Sequence, residues 1–364
     1  MEKSKGSELQ PQVIRAVDFF CGAGGLTRGL KNSGIDVVLG IDCNEDYRDT
    51  YEKNNKPTRF LCRDIRSLPL TELEDDLGDH IGTGLLFAAC APCQPFSKQR
   101  TDPKDASQRT LLGEVLRFVE HFRPDYLLFE NVPGIAKVSG NSTYHRVVSA
   151  LFRLGYHCDA GAVDAKAYGV PQTRRRYVLL GSLAGRLRLP RPTRGPGLEP
   201  YTTVRKAIAK YPPIRAGETH PRVPNHRASV LSDTNLKRIS RTPHDGGDRR
   251  AWPKRLTLHC HSNGYVGHTD VYGRMWWDRP APALTCKCHS LSNGRYGHPA
   301  QNRAISLREA AALQTFPDSY VFHGSSKSCV GDQIGNAVPV RLAAALGRSI
   351  MRSYRESRAR HAPA

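Results

Sequence analysis

The sequence predicts an α/β protein with a doubly wound, mostly parallel sheet and a smaller inserted domain. Two observations support this fold class. Short apolar runs alternate with helical patterns in the first half of the chain, and a basic region without that alternation precedes a long helical pattern near the end. Short, continuous apolar runs are typical of strands buried on both faces of a parallel sheet. Strands that alternate with helices favour an open sheet with helices on both sides.

The predicted strands and helices follow one another in a regular order. The apolar runs lie at 14–20, 36–42, 85–90 and 126–132, and helical patterns lie at 26–34, 110–122 and 142–155. Two further runs, at 157–165 and 177–182, continue the pattern to about residue 182. We therefore expect a first α/β domain over residues 12–182, with ligands bound at the carboxyl ends of its strands.

The composition changes after residue 182. Residues 186–200 are rich in proline, glycine and arginine, as in a linker. Residues 183–300 contain 21 lysines and arginines against 7 acidic residues, so this region carries +14 of the chain's net charge of +20. Such an imbalance favours a polyanionic partner, nucleic acid above all, over the alternative of a merely solvated surface.

The last part of the chain, 301–358, is expected to return to the first domain. Residues 338–357 have an apolar face at helical spacing, which predicts a helix packed against that domain. The basic region would then be an insertion between two parts of one α/β core.

Several features of the basic region admit a structural interpretation. An imperfect repeat at 260–268 and 288–298 contains Asn-Gly twice, which predicts two related hairpins. Trp276 and Trp277 either contact nucleic acid or anchor a small core. The cysteines and histidines at 259–261 and 286–289 include no C-x-x-C pair, so we predict no metal site there.

The chain offers no signal for a membrane or an oxidising compartment. Its apolar runs stay below the roughly 18 residues of a membrane span, and its first residues lack the apolar core of a signal peptide. We therefore expect a cytoplasmic protein whose ten cysteines are reduced thiols.

Three positions at predicted strand ends suggest a bound nucleoside. Gly22, Gly24 and Gly25 follow the first predicted strand, Asp42 closes the second, and Asp64 follows a third. An adenosine-containing cofactor would explain all three positions, and a tight turn with two surface carboxylates is the alternative. The glycine spacing is not the G-x-G-x-x-G of dinucleotide enzymes, which speaks against NAD and leaves room for S-adenosylmethionine.

Six segments in order resemble the signature blocks of C5-cytosine-specific DNA methyltransferases of the bacterial restriction-modification type. They are DFFCGAGG (18–25), APCQPFS (91–97), FENVPGI (129–135), QTRRRYVLL (172–180), RAISLREAAALQTFPDSY (303–320) and GNAVP (335–339). The resemblance implies a Rossmann-like methyltransferase fold, S-adenosylmethionine as cofactor with S-adenosylhomocysteine as product, and double-stranded DNA as partner. It also makes 183–300 the target-recognition domain, with 12–182 and 301–358 forming the catalytic domain.

The resemblance assigns roles to individual residues. It implies that Cys93 is the nucleophile, that Glu130 holds the target base, and that Arg174 and Arg176 are supporting basic residues. On the cofactor side it points to the following positions: Phe20, Gly22, Gly24, Gly25, Asp42, Asp64, Ile65, Pro92, Leu111, Asn336 and Ala337. Cytosine C5 is a poor nucleophile, and a thiolate that adds to C6 raises the electron density at C5. This is the chemistry for which Cys93 would be needed.

The target base cannot react while it is stacked in a duplex, so it has to be flipped out. The polar loop 97–110 after Cys93 is long and basic enough to close over extruded DNA, with Ser97, Gln99 and Arg100 as plausible contacts. Its alternative is an ordinary surface loop.

The sequence thus predicts a compact DNA (cytosine-5-)-methyltransferase that acts as a monomer, in a restriction-modification system with a cognate endonuclease or as a solitary modification enzyme. An RNA-directed relative is the nearest rival, and a catalytically silent DNA-binding protein on the same fold is a second alternative. A thiol redox protein, which would need a second cysteine at C-x-x-C spacing beside Cys93, is set aside.

Overall fold

Seven strands form one sheet in the computed structural model, which describes residues 13–77, 84–92, 111–137, 143–261 and 270–361. In chain order they are β1 (Arg15–Phe19), β2 (Asp36–Asp42), β3 (Arg59–Cys62), β4 (Leu85–Ala89), β5 (Tyr126–Asn131), β6 (His157–Asp164) and β7 (Arg175–Ser182). Their order in the sheet is β3-β2-β1-β4-β5-β7-β6. The first five strands pair in parallel and β7 is antiparallel to both of its neighbours. The predicted doubly wound, mostly parallel fold is confirmed.

The strand order reverses between β1 and β4. The chain passes from β1 outward to β2 and β3, returns to β4 on the other side of β1, and continues outward to β5. A crevice opens at the carboxyl ends of the strands at such a switch point, and ligands of open α/β sheets bind there. Every residue of β4 and β5 is buried, which explains why the sequence shows them as uninterrupted apolar runs.

The last two strands depart from the expected alternation. The segment between β6 and β7 contains a short 3-10 helix, Ala165–Tyr168, instead of a crossover helix. A parallel connection needs a dozen or more residues, and only ten separate the two strands, so they pair antiparallel. This reversal places the beginning of β7 beside the end of β5.

Helices cover both faces of the sheet. Those of the described residues are α1 (Gly25–Lys31), α2 (Arg48–Asn55), α3 (Leu70–Leu77), α4 (Leu111–Phe122), α5 (Thr143–Arg153), α6 (Val204–Ile208), α7 (Asp233–Arg241), α8 (Leu307–Leu313), α9 (Lys327–Asn336) and α10 (Val340–His361). One apolar cluster packs α1 and α10 on one face, and a second packs α3, α4 and α5 on the other. The predicted C-terminal helix and its packing against the first part of the chain are confirmed.

The basic region contains little regular structure where it is described. Buried arginine side chains hydrogen-bond to its backbone. The Arg274 guanidinium donates to the carbonyl oxygens of four residues, Ile239, Thr242, His298 and Gln301. Burial lowers the pKa of Arg274 to about 10. One guanidinium thereby satisfies several backbone acceptors that no strand partner reaches.

Only one of the two hairpins predicted from the Asn-Gly repeats can be compared with the structure. Residues 262–269 of the first repeat lie outside the described residues. The hairpin predicted at 288–298 is wrong, because that segment forms a 3-10 helix, Leu291–Asn293, followed by isolated bridges. Its shape is set by burial of Leu291 and Tyr296 in two apolar clusters, which overrides the local turn signal.

The adjacent tryptophans are engaged by the protein itself. Arg279 and Arg295 stack on Trp276, while Trp277 packs edge-on against His298 and carries Arg205 on its face. Trp277 thus packs against an apolar cluster, as a core anchor does, whereas the ring of Trp276 contacts arginine side chains.

Among the residues placed by the structure, none of the helices combines the length and the apolar character that crossing a bilayer requires.

Candidate active site

Three polar side chains from neighbouring strands meet at the carboxyl edge of the sheet. In the parallel pair β4–β5, Ala89 lies opposite Phe129, so Cys90 follows beside Glu130. In the antiparallel pair β5–β7, Glu130 lies opposite Val178, and Arg176 stands two residues before Val178 on the same face. The sheet register therefore brings Cys90, Glu130 and Arg176 together.

The Glu130 carboxylate is buried and receives a donor at each oxygen. Arg176 Nε lies 2.9 Å from Oε1, and Cys90 Sγ lies 2.9 Å from Oε2. The Arg176 side chain is also mostly buried, so the pair is shielded from water and salt, and its attraction is stronger than that of a surface pair. A carboxylate fixed in this way can bind a planar ligand through its remaining lone pairs.

Arg174 and Arg176 have different hydrogen-bond partners. Arg174 is buried, and its guanidinium donates to the carbonyl oxygens of Leu284, Gly335 and Ala337 at 2.8, 3.0 and 3.3 Å. Arg174 therefore links Leu284 of the basic region to the C-terminal end of α9. Of the two arginines that the sequence singled out, Arg176 is the one in contact with Glu130.

The three glycines of the turn after β1 have different surroundings. A Cβ added to Gly24 would lie 2.5 Å from Asn55 Nδ2 and 2.8 Å from the Tyr320 hydroxyl, and one added to Gly25 would lie 2.5 Å from the Val338 carbonyl oxygen. A Cβ added to Gly22 would meet no atom within 4 Å. Gly24 and Gly25 therefore permit close packing, whereas Gly22 borders open space.

Asp42 and the glycine turn are joined by a hydrogen bond. The Gly22 amide donates to Asp42 Oδ2 at 2.9 Å, and the Asn44 amide donates to Oδ1 at 3.0 Å. Burial raises the pKa of Asp42, while these amide donors oppose that shift. Phe20, whose φ is 59°, begins the turn and packs partly against the core. The end of β2 and the turn after β1 therefore form one wall of the crevice.

The other predicted cofactor positions lie on several elements. Asp64 pairs with Arg66, whose hydrogen bonds lower the pKa of that carboxyl. Ile65 is buried, and its carbonyl oxygen accepts from Arg117 of α4. The remaining four sit at element ends: Pro92 follows β4, Leu111 begins α4, Asn336 ends α9 and Ala337 follows it.

Asp18, on β1, is a buried carboxylate that the sequence reasoning did not single out. Its Oδ2 accepts from the backbone amide and the hydroxyl of Thr27 at 3.0 and 2.6 Å, which ties β1 to α1 beneath the glycine turn. Burial raises the pKa of Asp18 to about 7. Its signal in the sequence is a single acidic residue within a mostly apolar strand.

The predicted nucleophile and the predicted DNA contacts lie outside the described residues. These are Cys93, Ser97, Gln99 and Arg100.

Cys90 is the residue that the sequence reasoning missed most plainly. It stands three residues before Cys93, at C-x-x-C spacing, so the expectation that no cysteine lies at that spacing beside Cys93, on which a thiol redox protein was set aside, is wrong. The spacing was visible, but the contact with Glu130 depends on the register of two parallel strands.

The basic region contains both exposed and buried cations. Lys237 and Arg241 of α7 are exposed, as are Lys254 and Arg255 after it. Arg274 and Arg295 are buried and hold the backbone instead. Within the described part of the chain, no group of three or more histidines, cysteines or carboxylates is arranged to hold a metal ion.

Comparisons with known proteins agree with this architecture. The chain matches the model of the C-5 cytosine-specific DNA methylase family over residues 14–352. It is 39% identical over 344 residues to the Type II methylase M.HgiDII of Herpetosiphon aurantiacus, covering 93% of this chain and 96% of that protein. It is 31% identical over 342 residues to the Type II methyltransferase M1.HphI of Haemophilus parahaemolyticus, covering 92% and 86% of the two chains. Among solved structures, a prophage-encoded protein of E. coli described as a DNA modification methyltransferase has the same fold, with a TM-score of 0.74, 20% identity and coverage of 94% and 99%.

Proposed function

The chain belongs to the C-5 cytosine-specific DNA methylase family, and on that basis we propose how its residues carry out the reaction. The protein is a DNA (cytosine-5-)-methyltransferase, and its family and fold imply S-adenosylmethionine as the methyl donor. The observation that carries the mechanism is the buried pair of Glu130 and Arg176 at the carboxyl edge of the sheet.

Cys93 is the proposed nucleophile. Its thiolate adds to C6 of the target cytosine, forming a covalent bond and pushing an electron pair toward C5. After C5 is methylated, loss of the C5 proton returns its electron pair to the ring and expels the Cys93 thiolate, which restores the aromatic base. The proposal for Cys93 is supported by its place in the family motif APCQPFS and by the position of Pro92 after β4.

Glu130 and Arg176 are proposed to hold the base during these steps. Glu130 has carboxylate oxygens that can accept from the N4 amino group, and a proton shared with N3 would favour addition at C6. Arg176 fixes the carboxylate through Nε and adds positive potential where the ring gains electron density. Arg174 contributes indirectly, because it holds the backbone of residues that border the crevice.

The residues of the crevice fit S-adenosylmethionine. Open space beside Gly22 is what a ligand against the backbone requires, and the Asp42 carboxylate at the end of β2 is placed to accept from ribose hydroxyls. Asp64 and Ile65 would face the adenine, with Phe20, Pro92, Leu111, Asn336 and Ala337 completing the lining. When bound, the cofactor supplies an electrophilic methyl group on a sulfonium.

Duplex DNA is the proposed substrate, with the target cytosine flipped out of the stack. The exposed lysines and arginines of the basic region would neutralise phosphates and position the duplex. The loop containing Ser97, Gln99 and Arg100 is proposed to contact the DNA around the extruded base.

The biological setting follows from the relatives. Those most similar are Type II enzymes, so we infer a role in a restriction-modification system with a cognate endonuclease that acts on the same site, or a solitary modification activity. We also infer that the protein acts as a monomer in the cytoplasm, in association with the nucleoid, because one chain carries every family motif.

The test uses purified full-length protein, labelled S-adenosylmethionine and either duplex genomic DNA or tRNA. We expect label at C5 of cytosine in DNA, no label with Cys93→Ser, and normal labelling with Cys158→Ser, which removes an exposed thiol on β6. Label in tRNA alone would move the protein to the RNA branch. Tight DNA binding without transfer would leave a silent binding protein.

A further inference from the structure

Cys90 contacts the carboxylate proposed to hold the target base, and the contact is specific in its geometry. Its Sγ lies 2.9 Å from Glu130 Oε2, whereas Arg176 Nε lies 2.9 Å from Oε1. Only 1% of the Glu130 side chain is exposed. Water is therefore largely excluded from the carboxylate, and protein donors orient it.

The two donors differ in strength and in charge. The guanidinium is a strong, charged donor, and the thiol is a weak, neutral one. A weak donor at Oε2 fixes the rotamer of Glu130 while leaving that oxygen able to accept a further hydrogen bond from a base amino group, since each carboxylate oxygen has two lone pairs. A second cation at that oxygen would compete with the base for it.

Cys90 is an unsuitable nucleophile in this arrangement. A thiol that donates its proton to a carboxylate is held in the protonated form, and the thiolate is the nucleophilic species. The two cysteines of the C-x-x-C segment therefore have separate tasks.

We propose that Cys90 is a positioning residue, which holds the Glu130 carboxylate in the orientation that receives the target cytosine. This inference rests on the proposed function, because it takes Glu130 as the residue that binds the base. The proposal depends on a thiol at this position of the chain, directly after β4 and beside Glu130.

The test compares Cys90→Ala and Cys90→Ser with Cys158→Ala, which removes the thiol on β6. We expect Cys90→Ala to lower kcat for DNA methylation roughly ten-fold, the order for loss of one hydrogen bond to a charged group, and to leave the KM for S-adenosylmethionine unchanged. Cys90→Ser, whose hydroxyl can donate to the same oxygen, should retain most of the activity, and Cys158→Ala all of it.

Two further measurements separate positioning from simple packing. If Cys90 acts through Glu130, single-turnover rates of Glu130→Gln and of Glu130→Gln with Cys90→Ala should be nearly equal. The S–H stretching band lost in Cys90→Ser should lie at the lowered frequency of a strongly hydrogen-bonded thiol and should rise toward that of a free thiol in Glu130→Gln.

The outcomes are distinguishable. Wild-type kcat in Cys90→Ala, equal losses in the alanine and serine variants, or additive losses with Glu130→Gln would each overturn the positioning role while the methyltransferase function stood. A wild-type protein that transfers no label to DNA would overturn the proposed function, and the inference with it.

Discussion

The close packing of α1 against α10 predicts that replacing glycine by alanine destabilises the protein at Gly29 of α1 but stabilises it at Gly113 of α4. A Cβ added at Gly29 would lie 2.3 Å from the Cβ of Ala343, 2.6 Å from the Val340 carbonyl oxygen and 2.8 Å from the Ala344 amide nitrogen. Two of these atoms belong to the α10 backbone, so the helices must move apart to admit a methyl group. At Gly113 of α4, the nearest atom to an added Cβ would be Thr143 Cγ2 at 3.4 Å, which is ordinary contact.

The magnitude follows from two opposing terms. Replacing glycine by alanine inside a helix stabilises it by roughly 0.5–1 kcal/mol. Overpacking a close interface costs roughly 1–3 kcal/mol. We therefore expect Gly29→Ala to lower the free energy of unfolding by about 1–2 kcal/mol and Gly113→Ala to raise it by about 0.5–1 kcal/mol.

Urea unfolding followed by circular dichroism measures both variants on the full chain. Isothermal titration with S-adenosylmethionine should also show weaker binding in Gly29→Ala, because α1 follows the glycine turn and α10 follows Ala337. An unfolding midpoint for Gly29→Ala equal to or above that of Gly113→Ala would refute the argument that contact with the α10 backbone makes glycine necessary.

Three further predictions concern single side chains. Burial raises the pKa of Asp18 in the folded protein from 3.8 to about 7, so between these values the folded protein binds a proton that the unfolded chain has released. The free energy of unfolding of the wild type, relative to that of Asp18→Asn, should therefore fall as pH rises from 4 to 7. Urea titrations across this range would contradict the prediction if the difference between the two proteins stayed constant. Ser306→Ala removes the hydroxyl that accepts from the Glu309 amide in the capping box of α8 and that also hydrogen-bonds to His226, and it should lower the free energy of unfolding by about 1 kcal/mol. An unchanged urea midpoint would show that these hydrogen bonds contribute nothing. Arg176→Met should lower kcat roughly 100-fold by removing the donor to Glu130, whereas Arg175→Met, on an exposed side chain, should be near wild type; equal losses in labelled-methyl assays would argue against a specific role for Arg176.

The sequence predicts the strands and the residues at their ends because both depend on local patterns. Buried parallel strands appear as apolar runs, and their carboxyl ends share one edge, so Asp42 and Glu130 could be assigned to that edge without a structure. The contact of Arg176 with Glu130 could not be predicted in the same way, because it depends on β7 running antiparallel. The short connection after β6 was the available signal for that reversal.

The basic region shows the limit of reasoning from charge. An excess of lysine and arginine predicts the sign of the partner, but the same residue type also satisfies buried carbonyl oxygens. Arg274 is fully buried and serves the backbone, whereas Lys254 is exposed, and composition does not distinguish the two. Only the three-dimensional environment separates an arginine that binds phosphate from one that replaces a missing strand.

The residues just before β7 bond the basic region to the sheet. The Gln172 side chain accepts from the Leu284 amide at 2.9 Å, and Arg174 donates to the Leu284 carbonyl oxygen at 2.8 Å. Both backbone groups of Leu284, in the basic region, are thus hydrogen-bonded to the segment before β7. The same Arg174 donates to the carbonyl oxygens of Gly335 and Ala337, beside the proposed cofactor crevice. Two residues later, the strand supplies Arg176 to Glu130. Displacing the basic region would therefore break hydrogen bonds just before β7, so this short segment fixes the basic region, the end of α9 and the Glu130–Arg176 pair relative to one another.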